Sequence, residues 1–476
     1  MRCRRLPGQV PGGESTMRSH LSPLDAVFLE LEQDDPTLQL HFSWVAIFDP
    51  LSNGERPSLE RLRDQVRRRL VGNAALRRRL SMPEVQGDAL PIWLPDPDCD
   101  VGLQVRYAHL PEPGGESELM AWIGDYVSQR LDRSRPLWEA TLLEGLEGGY
   151  WAIVGKIHQC MVDGVSGPYV VASLLDFQPD TEVDMAALGA MIDAMGSEVD
   201  NGVLWRVRGA VGEELSGGVD AGVLPSKVAA IVSRSRERFE AFRGELPAAP
   251  ATSLNGPTGI RRQVATVEMP LAKAKAVSRS LGGRPDDVAL AATAGGLRKL
   301  FASRGEEVER VRVAVPVSMR RARESFAFGN AVAPLFIDLP IAEPDPVRRY
   351  RQVAETVAEL RSGGTEETEA LLETADAPAP LIQCAYARLA FTPGLFNLTA
   401  ASIPTTPFPL YALGAKLRRG IPLGSIFSGH NLGVAAIIYD ESVHFGLIAD
   451  ADAVPDLDVL RTGIEEAVTE LATVAV

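Results

Sequence analysis

One stretch in the first half of the chain constrains the fold more than any other. Residues 150–155 form an apolar run that is typical of a buried strand, and residues 168–175 have the pattern of a helix. Between them lie His158, Asp163 and Gly164, in a glycine-containing turn. A turn that joins a strand to a helix is a usual place for the reactive side chains of a sheet protein. The stretch therefore predicts a sheet whose functional residues lie at the end of this strand.

The size and charge of the chain narrow the class of protein. A chain of 476 residues exceeds the usual size of one hydrophobic core, so two domains or subdomains are expected. The net charge of −15 argues against nucleic acid as a general partner. No apolar run approaches the roughly 20 residues that a membrane span needs. Residues 1–20 are predicted to be a disordered N-terminus rather than a secretory signal, and Met17 is a second candidate start.

The cysteines are scattered along the chain, which predicts neither a metal site nor a disulfide framework and fits a reducing cytoplasm. They are Cys3, Cys99, Cys160 and Cys384. Cys160 lies inside the turn that follows the strand, where it is either a nucleophile or a small buried filler. The filler role is the preferred interpretation.

The segment around His158 resembles the HHxxxDG motif of the wax ester synthase/diacylglycerol acyltransferase family, part of the chloramphenicol-acetyltransferase-like superfamily. His158 matches the first His of the motif, and Asp163 and Gly164 match its final pair. Gln159 stands where the family has a second His, its proposed general base. Further motifs of the family follow in the same order from about residue 21 to about residue 472. They include Pro136-Leu137-Trp138, a strand that ends at Arg320, Gly329-Asn330 and Pro409-Leu410-Tyr411.

The chain also departs from the family in its second half. Asp286 stands in place of an Asn. The family's Asn-Val-Pro-Gly-Pro motif is replaced by a segment that contains Ser402 and Thr405. Asp286 is still expected to cap the helix that follows, because Asn and Asp cap about equally well, and Gly305 is expected to end that helix.

The resemblance implies an α/β fold with two chloramphenicol-acetyltransferase-like subdomains. Each would have a mixed sheet with flanking helices, and a tunnel would lead to a site at their interface. The first subdomain is predicted at residues 21–180 and the second at residues 260–476. Residues 181–259 would form a helical connection and linker.

Local patterns predict single elements in both halves. Ser22 is expected to cap a helix whose first residue is Pro23. The apolar and aromatic residues 41–48 predict a first buried strand. In the second half, residues 434–439 and 443–448 predict the two strands of a hairpin.

The activity that the resemblance implies is O-acyl transfer from a long-chain acyl-CoA to diacylglycerol or a fatty alcohol, with acyl-CoA as a substrate and no cofactor. An alcohol is a poor nucleophile at neutral pH, so a base must take its proton. A neutral imidazole suits this task, whereas the amide of Gln159 does not take up a proton near neutral pH. A catalytically impaired paralogue that binds acyl-CoA or lipid, or regulates an active relative, is therefore the alternative. Condensation-type acylation of another acceptor is a third hypothesis.

The candidate catalytic residues are His158, Gln159, Asp163 and Gly164. Because neighbouring strand residues point to opposite faces, His158 cannot replace the missing base, and a hydrogen-bonded structural role is preferred for it. Asp163 is predicted to pair with Arg320 and so to pin the turn. Substrate binding or structural support is assigned to Arg320, Asn330, Ser402 and Trp138, of which Trp138 is expected to be scaffold. His430, in a loop of the second half, is a further candidate for a cleft between the subdomains.

Two clusters of arginines lie in residues 61–80, beside apolar residues at helical spacing. The stretch is either a contact with anionic membrane or with CoA phosphates, or an ordinary solvated helix face. The solvated face is preferred. The expected location is the cytoplasm, with peripheral contact to a membrane or lipid droplet as an option.

Overall fold

The computed structural model describes most of the chain, in separate ranges. These are residues 19–71, 73–81, 91–97, 99–163, 166–179, 248–318, 330, 332–361, 391, 393–403 and 409–474. The helices in them are α1 (Pro23–Asp34), α2 (Leu59–Val71), α3 (Val101–Gln104), α4 (Glu116–Val127), α5 (Ser166–Ser173), α6 (Leu271–Leu281), α7 (Pro285–Ser303), α8 (Pro346–Arg361) and α9 (Leu457–Val474). None of these helices is long and apolar enough to cross a membrane.

The described strands number fifteen. They are β1 (Ser19–His20), β2 (His41–Phe48), β3 (Arg78–Ser81), β4 (Ile92–Pro95), β5 (Val105–His109), β6 (Trp138–Glu144), β7 (Trp151–His158), β8 (Arg262–Pro270), β9 (Arg310–Ser318), β10 (Val332–Pro340), β11 (Leu398–Ile403), β12 (Tyr411–Ala412), β13 (Ala415–Leu423), β14 (Leu432–Tyr439) and β15 (Ser442–Asp450).

Two six-stranded sheets organise the molecule. The first has the order β12-β13-β2-β7-β6-β5 and the second β10-β9-β11-β14-β15-β8, while β1, β4 and β3 form a small third sheet. Both large sheets are mixed, since β5 runs parallel to β6, and β11 runs parallel to β9 and β14. All residues of β2 and β7 are buried, so the strand that leads to His158 lies in the middle of the first sheet. The mixed α/β architecture is the one predicted.

The two halves of the chain share a strand. β13 belongs to the second half by sequence, yet it pairs antiparallel with β2 of the first sheet, with Leu423 opposite Ser43. The chain then returns to the second sheet as β14. The subdomains predicted from sequence do not anticipate this exchange. Of the predicted connection between them, residues 181–247 lie outside the described part of the chain.

Close approaches of main chain hold the two sheets together. A Cβ atom added at Gly446 of β15 would lie 1.8 Å from the carbonyl oxygen of Pro422 in β13. A Cβ atom added at Gly124 of α4 would lie 2.8 Å from the carbonyl oxygen of Arg262 in β8. Glycine is therefore needed at both crossings for steric reasons, and each crossing brings elements of different sheets or halves into contact.

The ends of the helices follow the capping chemistry, with one correction. Ser22 caps α1 as predicted, since its Oγ accepts the N–H of Asp25 at 3.0 Å. The cap predicted at Asp286 is wrong, because α7 begins at Pro285 and the carboxylate of Asp287 accepts the N–H of Arg284 at 2.8 Å. The acidic side chain that satisfies the free backbone donor lies inside the first turn, three residues after the N-cap.

The arginine-rich residues 61–80 do not form one helix. α2 ends at Val71, Ala74–Arg77 form a 3-10 turn, and Arg78–Ser81 form β3. The apolar side chains of this stretch are buried in the first core. They are Leu62, Val66, Leu70, Leu76 and Leu80. The apolar stripe is thus packed inside the protein, so the outward face of α2 consists mainly of polar side chains.

Candidate active site

The strand, turn and helix predicted around His158 are all present. β7 ends at His158, the chain turns, and α5 begins at Ser166. The Gln159 N–H donates to the Leu40 carbonyl at 2.9 Å, and the Met161 N–H donates to the His158 carbonyl at 2.9 Å. These bonds attach the turn to the strand before it and to the chain that enters β2. Gly164 lies outside the described residues.

His158 is held on both sides of its ring. Its Nδ1 accepts the Cys160 N–H at 3.1 Å, and its Nε2 lies 3.5 Å from Oε2 of Glu32. Nδ1 is an acceptor here, and Nε2 faces the Glu32 carboxylate at a separation that is too long for a good hydrogen bond. Only 1% of the His158 surface is exposed. The geometry is that of an anchored, structural histidine.

Glu32 on α1 is the partner that sequence reasoning missed. Its carboxylate also accepts hydrogen bonds from Nη2 of Arg133 at 2.7 Å and from the Leu40 N–H at 3.1 Å. Burial raises the pKa of Glu32, but the His158 ring and the Arg133 guanidinium more than offset this and hold the pKa below its usual range. A signal was present in the sequence, since Glu32 follows Phe28 by four residues and so lies on the apolar face of α1.

Gln159 lies where the two halves meet. Its side chain is half-buried, and its Oε1 is 3.5 Å from Oγ of Ser425, in the loop that follows β13. Ser425 Oγ itself donates to the His41 carbonyl at 3.0 Å. The Gln159 carbonyl accepts Nδ2 of Asn330, also from the second half, at 2.6 Å. No recognisable sequence motif surrounds Ser425, so its position beside Gln159 could not be predicted from the sequence.

Asp163 fixes the start of α5. Its Oδ1 accepts the backbone N–H of Ser166 at 2.8 Å and lies 3.0 Å from the Ser166 hydroxyl. The Asp163 N–H lies 3.0 Å from the same hydroxyl oxygen. This reciprocal arrangement is a helix cap, which supports the structural role given to Asp163. The predicted partner Arg320 is outside the described residues, so that ion pair stays a prediction.

Asn330 connects Asp25 of α1 with the turn. Its N–H and its Nδ2 lie 2.8 Å and 2.7 Å from Oδ1 of Asp25. Burial raises the pKa of Asp25 to about 6, and the charge of Asp163 adds to this, while hydrogen bonds from Ser22 and Asn330 act in the opposite direction. Asn330 was predicted to give binding or support, and its contacts are those of support. Asp25 was missed, although it follows the cap residue Ser22 closely.

The remaining candidates lie away from these contacts. Trp138 is buried and donates its Nε1 hydrogen to the Leu76 carbonyl at 2.8 Å, as scaffold would. Ser402 is half-buried in β11 opposite Ala436, and Thr405 is outside the described residues. The hypothesis that His430 enters a cleft is wrong, because its ring is fully buried and stacks on Phe396 with centroids 3.7 Å apart.

Two buried groups near the turn have structural roles. Burial raises the pKa of the Cys160 thiol well above its usual value, which supports the filler role and not a nucleophile. Lys156 is buried within β7, and its Nζ donates to the carbonyls of Tyr126 and Gln129 at 3.0 Å and 2.6 Å. The ammonium group therefore satisfies carbonyls at the C-terminal end of α4.

Two family models match the chain. The model described as "Wax ester synthase/diacylglycerol acyltransferase catalytic domain" matches residues 21–289. The model described as "WS/DGAT C-terminal domain" matches residues 328–472. The first match includes His158 and Gln159, and the second includes Asn330 and Ser425. The contributions of both halves to the candidate site therefore lie within the matched residues.

Relatives and solved structures agree with these matches. The Mycobacterium tuberculosis (strain CDC 1551 / Oshkosh) protein named "Probable diacyglycerol O-acyltransferase tgs1" is 31% identical over 468 residues, which is 96% of each chain. The structure of the wax ester synthase/diacylglycerol acyltransferase from Marinobacter aquaeolei VT8 has a TM-score of 0.70 at 23% identity, over 96% of this chain and 100% of that one. A mutant starter condensation domain of rhizomide synthetase RzmA, in complex with C8-CoA and Leu-SNAC, has a TM-score of 0.57 at 15% identity, over 97% and 95%.

Proposed function

The chain belongs to the wax ester synthase/diacylglycerol acyltransferase family, and we propose that it transfers a long-chain acyl group from acyl-CoA to diacylglycerol or a fatty alcohol. The acyltransferase class follows from the family. Diacylglycerol as acceptor is supported by the name of the M. tuberculosis relative. Acyl-CoA as donor is supported by the C8-CoA bound to a protein of the same fold. No cofactor is part of the proposal.

The reaction needs one proton to move. The alcohol oxygen forms a bond to the thioester carbonyl carbon, the carbon–sulfur bond breaks, and the alcohol proton ends on the departing thiolate. By the resemblance to the family's motif, Gln159 stands where the family has its proposed base, and its contacts with Ser425 and Asn330 lie at the meeting of the two halves. Its amide can orient the hydroxyl by hydrogen bonds but cannot hold the proton. We therefore expect the wild type to be about 10²–10⁴ times slower than an enzyme whose general base assists the same reaction.

A second function is favoured by the same observation. A protein that keeps His158 locked against Glu32 and carries an amide at position 159 could bind acyl-CoA or lipid without turning it over, or regulate an active relative. In this case the fold and the substrate site would remain while the chemical step is lost. Acylation of an amine, as in a condensation-type reaction, is a third option.

A transfer assay with several acceptors separates these functions. Purified protein and radiolabelled palmitoyl-CoA are incubated with diacylglycerol, a long-chain alcohol or a long-chain amine, and binding of palmitoyl-CoA is measured by calorimetry. Our proposal expects product with the two alcohols and little with the amine. Binding without product from any acceptor would support the binding or regulatory function. If the protein neither binds palmitoyl-CoA nor forms product, both functions are contradicted.

Contact with a membrane or lipid droplet is proposed to be peripheral and electrostatic. The apolar stripe of α2 is buried in the core, so its outward face is charged. It carries Arg61, Arg67 and Arg68, with Arg67 paired to Asp64 at 2.5 Å. Each arginine near an anionic surface contributes about 1 kcal/mol, and salt screens this attraction. The overall charge of −15 opposes general adsorption, so any binding must be local.

We expect the protein to bind vesicles that contain anionic lipid and to leave them in high salt. Replacing Arg61 and Arg68 with Gln should weaken the binding roughly tenfold or more, given about 1 kcal/mol for each arginine. The matched control replaces Arg348 and Arg351, exposed on α8 of the second half, with Gln. Equal losses in both variants, or binding that resists salt and alkaline washing, would contradict a contact through α2.

A further inference from the structure

A single amide group joins three parts of the candidate site. Asn330 comes from the second half of the chain, whereas Asp25 and Gln159 come from α1 and from the turn after β7. The Nδ2 atom of Asn330 lies 2.7 Å from Oδ1 of Asp25 and 2.6 Å from the carbonyl oxygen of Gln159. Both of these atoms are acceptors, and the amide nitrogen has two hydrogens to donate. The side chain of Asn330 is therefore fixed in one orientation, because a flipped amide would set oxygen against oxygen.

Asp25 holds this amide in place by a second contact. Its Oδ1 also lies 2.8 Å from the backbone N–H of Asn330, so one carboxylate oxygen accepts from both the main chain and the side chain of the same residue. Asp25 as a whole is only 4% exposed. A buried carboxylate is costly unless hydrogen bonds compensate for the lost water, and here Asn330 supplies them from the opposite half.

The contact with Asn330 also fixes the direction of the Gln159 side chain, because it holds the Gln159 backbone. The Gln159 N–H donates to the Leu40 carbonyl, and its carbonyl accepts from Asn330. With the peptide groups on both sides of this residue held, the direction of its Cα–Cβ bond is set. The Cα–Cβ bond in turn directs the Gln159 side chain, whose Oε1 lies 3.5 Å from Oγ of Ser425.

We infer that Asp25 is a positioning residue for acyl transfer: it fixes Asn330, and Asn330 fixes the backbone of Gln159. The inference concerns the same site as the proposed function and rests on it for its kinetic consequence. The geometric consequence, a turn held in place by Asp25, does not depend on which reaction the site performs.

Five variants test this chain of contacts: Asp25→Ala, Asp25→Asn, Asn330→Ala, the double variant of Asp25 and Asn330, and a control. Asp25→Ala should lower kcat at least about tenfold while the KM for acyl-CoA changes less than about twofold, because the contacts of Asp25 lead to the backbone of Gln159. Asp25→Asn should recover most of the lost kcat, since its amide oxygen can accept the same two N–H groups. The double variant Asp25→Ala/Asn330→Ala should lose no more than the worse of the two single variants. Gln33→Ala, at an exposed position of the same helix, is the matched control.

Hydrogen exchange supplies a readout that needs no activity. In Asp25→Ala, the peptide that covers residues 159–163 should exchange several times faster, whereas peptides of α9 should exchange at the wild-type rate. An unchanged turn, an equal acceleration of turn and α9, or losses of kcat that simply add in the double variant would each overturn the inference. If the wild type transfers no acyl group, the proposed function fails, and the exchange measurement still decides whether Asp25 positions the turn.

Discussion

The Gln159→His variant should transfer acyl groups about 10²–10⁴ times faster than the wild type, the factor that general-base assistance typically supplies. The backbone of residue 159 is held by Leu40 and Asn330, so the turn does not depend on the glutamine side chain. That side chain is half-buried and makes a long contact of 3.5 Å with Ser425, so an imidazole of similar size can replace it at little cost.

The pH profile distinguishes a restored base from a better fit. A base acts in its neutral form, so turnover of Gln159→His should rise with pH through the imidazole pKa, near the usual value of about 6.5. The wild type has no such group at this position and should show no such rise. Gln159→Asn, which also lacks a base, is the matched control and should not gain activity. A gain without the pH dependence, or no gain where the wild type is active, would show that Gln159 does not stand in for a missing base.

The Gly446→Ala variant should lose about 3 kcal/mol of its free energy of unfolding, the upper end of the usual range for overpacked sites. The new methyl group would lie 1.8 Å from the carbonyl oxygen of Pro422, and that oxygen belongs to the main chain of β13. A flexible side chain could move aside, but a strand that is paired along its length to β2 cannot do so without losing hydrogen bonds. The two sheets would have to separate at their crossing.

Gly420 provides the control on the same strand. A Cβ atom added there meets nothing within 4 Å, so Gly420→Ala should leave the free energy of unfolding within about 1 kcal/mol of the wild type. Urea unfolding of both variants, followed by fluorescence and by circular dichroism, gives the comparison. Similar midpoints for Gly446→Ala and the wild type would mean that the crossing of β13 and β15 is looser than the structure shows.

The sequence predicted the elements that depend on local patterns. β2 has the predicted bounds, His41–Phe48, because an unbroken apolar and aromatic run is a strong strand signal. α1 begins where Ser22 and Pro23 place it, since both residues favour a helix start. The pairing of β14 with β15 was also predicted, as the two runs are separated by a short turn.

The contacts that build the site are of another kind. Glu32, Asp25 and Ser425 each reach the turn from a distant part of the chain, and no period or short motif encodes such contacts. Their positions follow from the packing of the sheets, which local patterns in a single sequence do not reveal. Asp163 shows the intermediate case, because its capping of α5 is local while its predicted pairing with Arg320 is not.

The strand exchange also bears on how the chain is made. During synthesis, β2 emerges from the ribosome long before β13, so its outer edge has no neighbour until most of the protein has been translated. An unpaired, apolar edge strand is a template for pairing with other chains. Closing so long a loop is also a slow step in folding. The nascent first half is thus exposed to aggregation until β13 arrives, and a truncated chain that ends before residue 415 should need a chaperone or fail to become soluble.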